Sequence, residues 1–156
     1  MDEPELVERP ATRIVGLAIR TTNAAEAEPT TARIPGLWRR VLEEGVSERV
    51  PGRTHPGVLA ATYTSYDSDE RGPYTLVVGV EVAADAAVPP GLTAVAVPAA
   101  RCLRFAARGP MPAALVATWG RVWSTFGDPA GPWRAFTSDL ERHTGREAAD
   151  VYVAIR

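Results

Sequence analysis

The run Asp139-Leu-Glu141-Arg-His143 sets two carboxylates and an imidazole at alternate positions. In an extended strand, alternate side chains share a face. Ala135, Thr137, Asp139, Glu141 and His143 then look one way, and Phe136, Ser138, Leu140 and Arg142 the other. If Phe136 and Leu140 pack beneath helices, Glu141 points away from them into open space. A carboxylate held out of water is costly unless a positive charge offsets it, so Glu141 is a candidate for gripping a cation. With His143 it is also a candidate acid–base couple, in which Glu141 would be the catalytic residue. A solvated glutamate and an idle, partly exposed histidine are the plainer alternatives, and the residues alone leave these readings open.

The other reactive side chains point to less. Cys102 is the single cysteine, so no disulfide forms within the chain, and no base is placed beside it by sequence. A buried structural thiol is the expectation. His55, His143 and that one thiol have no metal-ligand spacing, so neither a metal nor a cofactor is expected. Asp67-Ser-Asp-Glu70 lacks the glycine and glutamate positions of a calcium loop and reads as a solvated turn.

Aromatics recur along the chain: Trp38, Tyr63, Tyr66, Tyr74, Phe105, Trp119, Trp123, Trp133 and Tyr152. A cation over a desolvated aromatic face gains ~2 kcal/mol. Three such contacts and one carboxylate would reach micromolar affinity, about −8 kcal/mol. Trp38, Tyr63, Tyr74, Phe105, Trp119 and Trp123 are the candidate walls, with Tyr63 preferred to Tyr74. Core filling is the competing role, above all for Trp38, which lies on an apolar helix stripe.

The elements that must position these residues follow from periodicity. Arg13–Arg20 reads as a strand. Ile34, Leu37, Trp38, Val41 and Leu42 make one helical stripe behind Pro35, with Gly45 as a stop. Val58–Tyr66 and Tyr74–Val82 read as paired strands around a polar turn, and Leu92–Val97 as a short strand. Ala100–Ala107 is then a strand, Met111–Phe126 a helix ended by Gly127 and Pro129, Trp133–His143 a strand and Ala149–Ile155 the last strand. The order strand-helix-strand-strand thus occurs twice. The expected fold is α+β: duplicated units forming a curved antiparallel sheet, two helices on one side, and a ligand cleft between the halves.

Composition narrows the function. With 46% hydrophobic and 23% charged residues in 156, the balance is that of a folded chain with a real core. The net charge of −2 argues against sequence-independent nucleic-acid binding. The residues before Arg13 are too few for a helix-turn-helix, so no direct nucleic-acid binding is expected. Met1–Pro10 lacks the apolar stretch of a signal peptide, and no run approaches the ~20 apolar residues of a membrane span. A cytoplasmic location without membrane contact is expected. No linker divides residues 1–156, which read as a single domain with its core at about 12–155.

Taken in order, Ile34-Pro-Gly-Leu-Trp38, Tyr63-Thr-Ser-Tyr-Asp-Ser-Asp69, Gly72 to Val82, Phe105, Gly109, Trp119, Trp123, Thr137 to Glu141 and Asp150 to Ile155 resemble the GyrI-like small-molecule-binding domain. That domain is the effector-binding half of many AraC-type and MerR-type transcription regulators, and this chain is similar to a stand-alone member. The resemblance implies the duplicated fold and a cleft whose acidic residue is Glu141. It also implies a hydrophobic, cationic or aromatic drug-like ligand, captured for sensing or resistance, as in multidrug binding. Some stand-alone members are similar to hydrolases that open the cyclopropane of DNA-alkylating natural products, which is the alternative function. His143 stands where the family often has Tyr, and Cys102 where it often has an aromatic, which counts against the hydrolase. A protein partner is a third reading, with no exposed apolar patch in the sequence to support it.

Overall fold

The computed structural model describes residues 3–156. In chain order the elements are β1 (Glu5–Arg9), β2 (Thr12–Thr21), α1 (Asn23–Glu26), α2 (Ile34–Glu43), α3 (Val46–Arg49), β3 (Leu59–Thr64) and β4 (Tyr74–Val82). Then come β5 (Thr93–Val97), β6 (Ala100–Arg108), α4 (Ala113–Phe126), β7 (Ser138–Gly145) and β8 (Ala148–Ala154). The fold is α+β, and the strand-helix-strand-strand duplication is present as β2-α2-β3-β4 and β6-α4-β7-β8. All strands join one antiparallel sheet in the order β1-β6-β8-β7-β3-β4-β2-β5. The two units meet at its middle, where β3 pairs with β7 in the register Ala61 opposite Glu141 and Tyr63 opposite Asp139.

Both main helices lie on one face. Leu37 and Val41 of α2 are buried on Val15, Leu76, Val78 and Val80, and Val122 of α4 on Phe105, Val151 and Val153. Each such side chain stabilises the fold by about 1.5–3 kcal/mol. Among the described residues, no helix packs on the opposite face. The sheet curves so that Ile14, Ala60, Val77, Val97, Cys102, Leu140 and Tyr152 cover one another there. Arg9 helps close the curve, donating to the carbonyls of Ser138 and Pro98. Gly16 and Gly79 face each other in β2 and β4, where a Cβ on Gly79 would lie 2.0 Å from the Val15 carbonyl oxygen, so no larger residue fits at that crossing.

Several expectations need correction. Glu5–Arg9 forms a strand on β6 although its sequence is acidic and only weakly apolar. The loop after β2 contains α1, and Gly45, in the left-handed region at φ 58°, ends α2 only to start α3. Leu42, placed on the apolar stripe by spacing, is 66% exposed. The strand expected from Trp133 begins only at Ser138, because Phe136 adopts φ 53° and breaks the extended run. That break also ends the face alternation assumed between Phe136 and Leu140. Among the described residues, no helix is long and apolar enough to cross a membrane.

Candidate functional site

Glu141 sits on β7 at the seam, and it points to the helix-bearing face. This reverses the expected direction: Leu140 packs on the inner face with Ile14 and Ala60, which leaves Glu141 beneath α2 and α4. The carboxylate is 0% exposed. Its Oε2 accepts from the Tyr63 hydroxyl at 2.7 Å and from the Trp119 indole N–H at 2.8 Å. Its Oε1 lies 2.9 Å from His143 Nε2. Each half contributes: Tyr63 comes from β3, Trp119 from α4 and His143 from β7 itself.

Local sequence explains the placement of these groups. Trp38 meets the His143 ring edge-on, with centroids 4.7 Å apart, because α2 is anchored over the sheet. That anchor includes Glu26 of α1, whose carboxylate accepts from the backbone N–H groups of Arg33 and Ile34 and so caps α2, which has no side-chain cap of its own. On α4, Thr118 and Val122 are buried and Trp119 lies beside that buried stripe, turned to the seam. Its ring lies edge-on to Tyr63 at 5.1 Å. Burial, then the neighbouring Glu141 charge, pushes the Tyr63 hydroxyl well above its usual range, so it stays protonated and donates.

Of the residues singled out by sequence, Glu141, Tyr63 and Trp119 are in direct contact, and Trp38 joins through His143. Tyr74 lies behind, 5.7 Å from the Tyr63 ring, with its hydroxyl pushed up to about 12 chiefly by burial. Two do not join. Phe105 is enclosed in the core under α4, and Trp123 is 53% exposed on the outer side of that helix. His143, expected to be partly exposed, has a side chain 16% exposed and lies 2.9 Å from Glu141. Cys102 is fully buried on the inner face, its thiol pushed up mainly by burial, so it is not a ready nucleophile.

Sequence reasoning missed a second carboxylate centre on the same face. Asp139, also 0% exposed, pairs with Arg134 at 2.7 Å and accepts from the Tyr66 hydroxyl and from the Ala154 N–H. On the inner face a third buried acid, Glu81, is held by a two-point contact from Arg142 at 2.6 and 3.0 Å. Glu141 differs from both: its hydrogen-bond partners among the described residues include no arginine. Two surface recesses, of about 440 Å³ along α4 and about 270 Å³ beside Val41 and Leu59, do not include Glu141. In this conformation the acid lies under its own aromatic lid. No group of three or more His, Cys, Asp or Glu among the described residues is arranged to hold a metal ion.

Comparison with known proteins identifies the family and the fold. Residues 5–155 match the family model described as integron-associated effector binding protein. The Bacillus subtilis (strain 168) protein YobU, whose name assigns it provisionally to transcriptional regulation, is 28% identical over 92% of each chain. An integron cassette protein from the mobile metagenome of Vibrio cholerae has the same fold, with a TM-score of 0.82 at 24% identity over 98% of this chain and 95% of that one. SAV2435, solved bound to tetraphenylphosphonium, gives 0.75 at 15% identity over 99% and 94%.

Proposed function

The chain belongs to the integron-associated effector-binding protein family, and we propose that it captures a hydrophobic monovalent cation between its halves, with Glu141 supplying the charge and Trp38, Tyr63 and Trp119 the walls. One observation carries this reading. Of the three buried carboxylates among the described residues, Glu141 alone is held by neutral donors and a histidine rather than by an arginine. A buried anion without a permanent counter-charge gains most from a cation brought by a ligand. Half-buried rings above it can supply cation–π contact once they part to admit that ligand. A fold neighbour solved with tetraphenylphosphonium makes that cation the natural first probe.

The geometry supports capture over ring-opening hydrolysis. Capture needs only the charge of Glu141, whereas ring opening needs a water beside its carboxylate, and the groups placed there are Tyr63, Trp119 and His143. A cytoplasmic location and a part in transcriptional sensing or resistance belong to the same proposal.

Isothermal titration of tetraphenylphosphonium into wild type and Glu141→Gln tests it. The variant keeps an acceptor for Tyr63 and Trp119 but loses the charge. We expect at least about tenfold weaker binding, equivalent to ~1.4 kcal/mol. Equal affinities, or no binding by wild type, would remove Glu141 from this role.

A further inference from the structure

Arg134 is arranged as a ligand in an aromatic cage would be. Its Cζ lies 4.3 Å from the Phe136 ring centroid, 5.7 Å from that of Tyr66 and 5.9 Å from that of Trp119. Its side chain is 6% exposed. Nη2 donates to Asp139 at 2.7 Å and to the Tyr66 hydroxyl at 3.2 Å, while the buried Nε meets no acceptor among the described residues. An arginine kept for a salt bridge alone would normally use two nitrogens in a fork. Phe136 reaches it from a left-handed backbone that a bulky residue adopts only at a cost. The indole of Trp119 is a shared wall: its ring is in range of Arg134 while its N–H binds Glu141.

We infer that Arg134 sets the charge specificity of the ligand site. By neutralising Asp139 it leaves Glu141 as the one unbalanced carboxylate at the seam, so the site selects a singly charged guest over a dication. The inference rests on the capture proposed for Glu141. Without Arg134 the seam would carry two carboxylates and a vacated aromatic cage between Phe136, Tyr66 and Trp119, which would suit two linked cationic groups.

The test is titration of tetraphenylphosphonium and of the bis-amidinium dication pentamidine into three folded proteins, checked by circular dichroism. Wild type should prefer the monocation. In Arg134→Gln the ratio of the two dissociation constants should move towards the dication by at least about tenfold. Asp139→Asn, which leaves Arg134 unbalanced, should weaken tetraphenylphosphonium binding by a similar factor, and it serves as the test if the first variant fails to fold. A ratio within about threefold of wild type in Arg134→Gln, or unchanged monocation affinity in Asp139→Asn, overturns the inference while leaving the role of Glu141 intact. A wild type that binds neither cation overturns both.

Discussion

At the residue scale the stability of the site and its use of charge are separable. Tyr63 gives Glu141 a hydrogen bond at 2.7 Å, shared on one oxygen with Trp119. Tyr63→Phe removes the donor and keeps the ring. It should destabilise the empty protein by about 1–3 kcal/mol, read as a lower urea midpoint with an unchanged slope. A midpoint equal to wild type would mean that water replaces the phenol and that the acid is less enclosed than its burial indicates. Glu141 was singled out through the family resemblance, whereas alternation along its strand assigned it to the wrong face, because Phe136 at φ 53° breaks the run that the alternation assumed. Arg134 was not singled out: it lies in an irregular segment five residues before Asp139, and an ion pair closed across such a segment leaves no periodic trace. Tyr66 was seen as an aromatic, but its tie to Asp139 spans 73 positions, which spacing cannot show.

At the scale of elements, the seam pair of β3 and β7 holds both faces in register, with Glu141 and Asp139 buried on the helix-bearing face and Glu81 on the inner one. On the inner face Glu81 is the partner of β7's Arg142, with Thr12 adding a bond from β2. Burial alone would raise the Glu81 carboxyl, but the Arg142 contact prevails and holds it below the ordinary carboxylate range. A depressed native value means that its contribution is present above the unfolded value of about 4.3 and fades as pH falls through the native one. Stability should therefore drop on acidification from about pH 5 towards pH 3, and Glu81→Gln should flatten that drop while costing about 3–5 kcal/mol at neutral pH. Thermal unfolding across pH checks both, and an undiminished acid slope in the variant would contradict the assignment. Tyr74–Val82 was readable to its ends because five alternating apolar residues leave one choice of face. β1 was not, since an edge strand needs little apolar content, and Leu6 is 59% exposed within it.

For the whole molecule, curvature separates two tasks. The inner face is filled by its own side chains and closed by Arg9, and the helix-bearing face carries the seam, where aromatic side chains from both units surround Glu141. On the capture proposed for Glu141, its complete enclosure would govern timing. A guest would have to wait until Trp38 and His143, or Tyr63 and Trp119, swing apart, so entry would be clocked by the protein rather than by encounters. In stopped-flow mixing with tetraphenylphosphonium the observed rate should level off as concentration rises, at the frequency with which the lid opens. A rate that climbs in proportion throughout would mean that the gate stands ajar. With a slow gate the same lid would also delay escape, so on the proposed capture the empty chain's self-packing would act as a memory: a molecule once admitted would be kept after its surroundings had been cleared of it.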